Sequence, residues 1–143
     1  MYVSDALAHK GRNLVTVRPD MSIEAAIELL TVRKIGGAPV CQPSGKILGL
    51  LTERDILHGT AKHGAAALEL KVEELMSGKF FTCTPEDDLK QVRSIMTNKH
   101  VRHVLVLVDG KLDNIISIGD VMRARLEEAQ LEVDVLRDYA RIR

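Results

Sequence analysis

The chain has 143 residues, 45% hydrophobic and 3% aromatic with no Trp, and its 20 Lys and Arg balance its 20 Asp and Glu. A neutral global field argues against broad electrostatic capture of nucleic acid or of an anionic membrane, so any anion must meet a local cluster. The longest apolar run, residues 104–108, is far short of the roughly 18 residues that span a bilayer, and the N-terminus carries no apolar stretch of signal-peptide type.

A short lead-in helix is predicted near residues 3–9 and a short strand over 14–17. Pro19-Asp20-Met21-Ser22 then signals a helix start. Ile23, Ala26, Ile27 and Leu30 keep the i, i+3, i+4, i+7 spacing of a buried helical face. Strands follow over 38–41 and 47–51, joined by a turn at Ser44-Gly45, and a helix opens at Thr52. The series then begins again. A lead-in helix over 68–76, a strand over 80–83 and the start Pro85-Glu86-Asp87-Asp88 precede a helix carrying Leu89, Val92 and Met96. Strands over 103–108 and 112–116 flank Asp109-Gly110, and a helix opens at Ser117. Aligned on Pro19 and Pro85, Thr16 meets Thr82, Ala26 meets Val92, Leu30 meets Met96 and Val40 meets Val106. After a one-residue deletion near Ser44, Thr52 meets Ser117 and Asp55 meets Asp120.

Such self-similarity predicts a duplicated unit. One unit of about 60 residues has a marginal core by itself, so the two are expected to pack on each other. The expected fold class is α/β (α+β): two tandem β-α-β-β-α repeats, residues 1–64 and 65–126, related by a pseudo-two-fold axis with symmetric clefts between them. Residues 127–143 extend the last helix. Met122, Leu126, Ala129, Val133, Leu136 and Ala140 form a heptad seam on it, widened by Leu131 and Val135, which predicts a homodimer contact.

Thr52-x-x-Asp55 and Ser117-x-x-Asp120 each follow an apolar strand and open a helix. The plain reading is a capping box, with the hydroxyl and the acid satisfying backbone N–H groups. The functional reading is a pair of ligand corners, because the start of a helix favours an anion. Gly49, just upstream of the first, is read as room for a ligand against the backbone.

With these residues in this order and duplicated, the chain resembles a tandem pair of CBS domains, the paired unit called a Bateman module. The resemblance runs over Gly49-x-x-Thr52-x-x-Asp55, Ser117-x-x-Asp120, the segment from Lys34 through Gly37, Ala38 and Pro39 to Val40, and its partner from Lys99 through Arg102, His103 and Val104 to Val106. It implies a regulatory module for adenosine-containing ligands: AMP first, with ADP, ATP, NAD or S-adenosylmethionine as alternatives and no metal. Carried over by position, Asp55 and Asp120 meet ribose hydroxyls, and Thr52 and Ser117 meet phosphate oxygens. Thr16 and Thr82 meet the adenine edge. Ala38-Pro39 and Val104-Leu105 wall the adenine slot, with Lys34 and Gly37 carried along in the first segment. Arg102, His103 and Arg54 supply charge for phosphate, and His103 adds pH dependence if it titrates near neutrality. Asn114 departs from the glycine of the motif, and Gly36-Gly37 stands where the second repeat has Arg102-His103, so unequal clefts are expected.

Two other classes compete with ligand sensing. Cys41 or Cys83 as a nucleophile, with His100 or His103 as base, would make an enzyme. Both cysteines lie in apolar strands, where inert buried thiols are the commoner outcome, so no enzyme is expected. With no CxxC spacing or His cluster either, a reduced, cytoplasmic protein is expected. The second competitor is a ligand-free dimerisation module acting through the tail. The regulated partner protein is not legible, and no basic stripe points to nucleic acid.

Overall fold

The structure is a computed structural model describing residues 1–11 and 14–142. Helix α1 (Val3–Leu7) leads into α2 (Ile23–Arg33), which starts where the Ser22 side chain accepts from the Ala25 N–H at 3.1 Å. Lys34, in the left-handed region at φ 55°, ends α2. Strands β1 (Gly37–Cys41) and β2 (Ile47–Thr52) pair antiparallel, with Gly37 opposite Thr52. Helix α3 (Glu53–His63), a 3-10 turn (Gly64–Glu69) and the one-turn helix α4 (Val72–Leu75) cross to the second repeat. There β3 (Thr82–Cys83) lies parallel to β4 (His103–Val108), with α5 (Leu89–Lys99) between them in sequence. Strand β5 (Lys111–Ser117) returns antiparallel to β4, and α6 (Ile118–Ile142) ends the described chain.

The duplication predicted from sequence is visible in matching backbone hydrogen bonds. Ile35 N–H donates to Leu30 C=O at 3.1 Å, and Val101 N–H to Met96 C=O at 3.2 Å. Glu53 N–H donates to Gly36 C=O at 3.0 Å, and Ile118 N–H to Arg102 C=O at 2.9 Å. Lys34 and His100 close their helices with the same positive φ of 55°. The two strands that lead each repeat are shorter than expected. Residues 14–17 reduce to a single parallel bridge between Val17 and Val40, and residues 80–83 to the two-residue β3. The lead-in predicted over 68–76 is broken because Leu70 and Lys71 are extended, which lets Lys71 bridge to Ser22.

The lead-in segments are exchanged between the repeats. Val3 and Ala6 of α1 are buried with Leu89, Val92, Met96, Val104 and Ile116 of the second repeat. Val72 is buried with Ile23, Ala26, Leu30, Val40 and Leu51 of the first, and Leu75 packs against the same cluster. The matching bridges Tyr2–Asp88 and Ser22–Lys71 pin both crossings. A third cluster of Leu50, Leu105 and Ile115 lies where the two sheets face each other, with Ile47, Phe80 and Leu112 packed on it. Burial of each such side chain contributes about 1.5–3 kcal/mol, so neither repeat is a closed unit without the other.

Helix α6 buries only its first turns, through Asp120, Val121 and Ala124. The heptad residues beyond, Leu126, Val133 and Leu136 among them, are exposed in the single chain. Residue 143, the last of the predicted extension, lies outside the described residues. Among the described residues no helix is long and apolar enough to cross a membrane.

Candidate functional site: two strand-to-helix corners and the cleft between the repeats

Both hydroxyl-x-x-aspartate motifs form the capping boxes that their spacing allows. At the end of β2, Asp55 Oδ2 accepts from the Thr52 backbone N–H at 2.9 Å and from its hydroxyl at 3.1 Å, while Thr52 Oγ1 accepts from the Asp55 N–H at 3.4 Å. At the end of β5, Asp120 Oδ2 accepts from the Ser117 N–H at 2.8 Å, and Ser117 Oγ accepts from the Asp120 N–H at 3.2 Å. The boxes fix each side chain at the start of a helix, where N–H groups and the dipole favour an anion.

Beyond the boxes the corners differ. Both side-chain hydrogen bonds of Asp55 run through Oδ2, and Oδ1 has none among the described residues. Asp120 is 7% exposed at its side chain, and its Oδ2 also holds the Lys10 ammonium at 2.8 Å. Arg123 adds a charge 3.6 Å from Oδ1. Burial alone would raise the Asp120 carboxyl. The Lys10 hydrogen bond, the Ser117 N–H and the Lys10 charge outweigh it and hold the group below the usual carboxylate range.

A cleft of about 340 Å³ opens between the repeats, lined on one side by Thr52, Glu53, Arg54 and Asp55 and on the other by Arg102, His103, Ser117 and Ile118. Its size is within the range of small-molecule sites. Arg54 spans it, donating from a guanidinium nitrogen to the His100 carbonyl at 3.2 Å. Lys79 also lines it, with its ammonium 6.0 Å from the Phe81 ring centre. Among the described residues Arg54, Lys79 and Arg102 therefore line the cleft with two acidic residues, Glu53 and Asp55, and a globally neutral chain has a locally basic cleft.

Of the residues singled out from sequence, Thr52, Arg54, Asp55, Arg102, His103 and Ser117 share this cleft. The others are placed elsewhere. Lys34 lines an adjoining groove of about 370 Å³ with Ile27, Ile35 and Ile56, which meets the cleft at Gly36 and Glu53. Ala38 and Val104 are fully buried in the cores of their own repeats, because alternation along β1 and β4 turns them away from the cleft. Pro39 is buried in β1 opposite Leu50. Thr16 and Thr82 are exposed and outside the cleft lining. Gly37 makes room for His103: a Cβ there would stand 3.1 Å from the imidazole Cε1.

Two expectations are corrected. Gly49 does not admit a ligand; the chain's own Ser77 backbone takes that space. Leu50 N–H donates to Ser77 C=O at 2.9 Å and Ser77 N–H to Leu50 C=O at 3.0 Å, and a Cβ on Gly49 would collide with the Ser77 oxygen. His103 does not titrate near neutrality. Burial, followed by the Lys10 charge, pushes it down to about 4, with Asp120 opposing, so it enters the cleft as a neutral donor and acceptor. Burial, helped by the Asp87 charge, pushes the Cys83 thiol up to about 12, and burial raises Cys41. Both thiols are therefore protonated at neutral pH.

Sequence reasoning missed Lys10, Lys79 and Glu53. The signal was present. Aligning Val3 with Val72, as the boxes Tyr2–Asp5 and Lys71–Glu74 require, sets Lys10 on Lys79.

The fold is a duplicated unit with a cleft lined by basic residues at the seam between its two repeats. The family model for the CBS domain matches residues 3–61 and again 72–127, and the chain belongs to that family. The CBS domain-containing protein CBSX3, mitochondrial, of Arabidopsis thaliana is 29% identical over 145 residues, spanning 96% of this chain and 70% of that protein. A solved CBS-domain containing protein from Agrobacterium tumefaciens is 43% identical with a TM-score of 0.83, covering 87% of this chain and 92% of that one. CBSX2, solved in complex with AMP, is 27% identical with a TM-score of 0.70, covering 83% of this chain and 92% of its own.

Proposed function

We infer that the chain is a sensor of adenosine nucleotides, with AMP the preferred ligand, and that nucleotide occupancy of the cleft is passed to a partner protein. The observation that carries this reading is the meeting of the free Asp55 Oδ1 with Arg54, Lys79 and Arg102 in one cavity of about 340 Å³. A carboxylate with an open oxygen reads a ribose diol by charge-assisted hydrogen bonds. Arginine forks and an ammonium neutralise a phosphate, helped by the start of α3. His103, uncharged, reports hydrogen-bonding geometry rather than charge. CBSX2 bound to AMP is a family precedent for this ligand.

The cleft is bounded by both repeats, so a ligand in it bears on their relative position. Helix α6 begins at its wall with Ile118 and continues into an exposed apolar stripe. That stripe supports a homodimer and a route outward to the partner. The buried, protonated thiols give no support to nucleophilic catalysis, and the role proposed is binding and signalling. Thermal shift with AMP, ADP, ATP, NAD, NADH and S-adenosylmethionine tests the reading. A ligand at about 100 times its Kd stabilises by about 2.7 kcal/mol. A panel without any shift would sink it in favour of a ligand-free dimerisation module.

A further inference from the structure

Lys10 and Lys79 are counterparts in the two exchanged lead-in segments, yet they do different things. Lys79 lies over Phe81 and leaves Asp55 open. Lys10 reaches into the second corner and donates to Asp120 Oδ2 at 2.8 Å and to the Ile115 carbonyl at 2.7 Å. Its side chain is 28% exposed, so the pair is shielded from solvent on most sides.

The reason lies one residue upstream of each contact. In the first repeat the Leu50 carbonyl accepts from the Ser77 N–H at 3.0 Å, a pairing that requires Gly49. Ile115 is the counterpart of Leu50, and Asn114 the counterpart of Gly49. A side chain at that position excludes the same backbone approach. The Ile115 carbonyl is instead satisfied by an ammonium from the lead-in segment, and that ammonium also takes the carboxylate. His9 beside it lies 3.6 Å from Glu127, so the segment touches α6 at two places.

We propose that Lys10 is a built-in competitor of ligand at the second corner: its ammonium occupies Asp120, so that in the resting protein only the Asp55 corner takes a nucleotide. A ribose hydroxyl is a neutral donor and gains less from Asp120 than a charged ammonium does. Nucleotide therefore enters the second corner only by displacing Lys10, and that displacement loosens the contact between the lead-in segment and α6. This rests on the nucleotide reading above, extends it to unequal corners, and is tested with one arm that needs no ligand.

In the ligand-free arm, the full chain is treated briefly with an amine-acylating reagent and the modified lysines are quantified by mass spectrometry. Lys10 should react about tenfold more slowly than Lys79. Equal rates would overturn the clasp whatever the protein binds. In the ligand arm, AMP is titrated calorimetrically into Asp55→Asn and into Asp55→Asn/Lys10→Met. The second should bind at least about tenfold more tightly, and adding Asp120→Asn should remove the gain. Equal affinities in the first two would overturn the competition. If wild type and every variant fail to bind AMP while Lys10 remains slow, the nucleotide reading falls and the clasp stands.

Discussion

Lowering the pH from 7 to 5 should destabilise the fold through His103. Its folded value near 4 is set by burial first and by Lys10 second, against an ordinary value of 6.5. Between those values the unfolded chain binds a proton that the folded chain refuses. Stability is therefore full above about 6.5 and is lost as the pH falls toward 4. Linkage over the two pH steps gives a loss of about 2 kcal/mol at pH 5. For a chain of this size that lowers Tm by roughly 4–8 °C. Asp120 does not contribute in this window: its carboxyl is depressed, so its stabilisation is present above the ordinary 3.8 and is lost only below it. The assay is calorimetric unfolding at pH 7, 6 and 5 of wild type and His103→Asn. The variant has its own packing defect beside Gly37, so the pH slope, not the absolute Tm, is the quantity compared. Equal slopes in the two proteins would refute the assignment of a half-buried neutral imidazole.

Gly49→Ala should cost about 1–3 kcal/mol by forcing the Ser77 backbone off Leu50, measured as the urea midpoint at constant m-value. Asp55→Asn should weaken AMP about 10- to 100-fold, the worth of a hydrogen bond to a charged group, with the fold intact by circular dichroism. Leu126→Glu with Leu136→Glu should convert a dimer to a monomer in sedimentation equilibrium at micromolar concentration, and a monomeric wild type would remove the dimer from the account.

The elements with their own periodicity were legible. The β4 strand is legible at its observed limits because a continuous apolar run over residues 104–108 stops at Asp109-Gly110, and α2 because Ile23, Ala26 and Leu30 repeat at helical spacing. The corners were legible because the hydroxyl and acid act within one turn. What could not be read was anything decided by distant partners. Residues 14–17 look like a strand, but only Val17 finds a bridge. Val3 and Val72 advertise burial without saying in which repeat. Gly49 looked like room for a ligand because nothing local reveals Ser77 arriving from elsewhere. Lys10 was invisible for the same reason: its meaning is an ion pair with a residue more than a hundred positions away.

The proposed sensor role requires that the cleft between the repeats bind an adenosine nucleotide through Asp55. Calorimetric titration of AMP into the wild-type chain tests it most directly. Saturable binding of about one AMP per chain, weakened by Asp55→Asn, is the expected result. Absence of saturable binding, or binding that Asp55→Asn leaves unchanged, would contradict it.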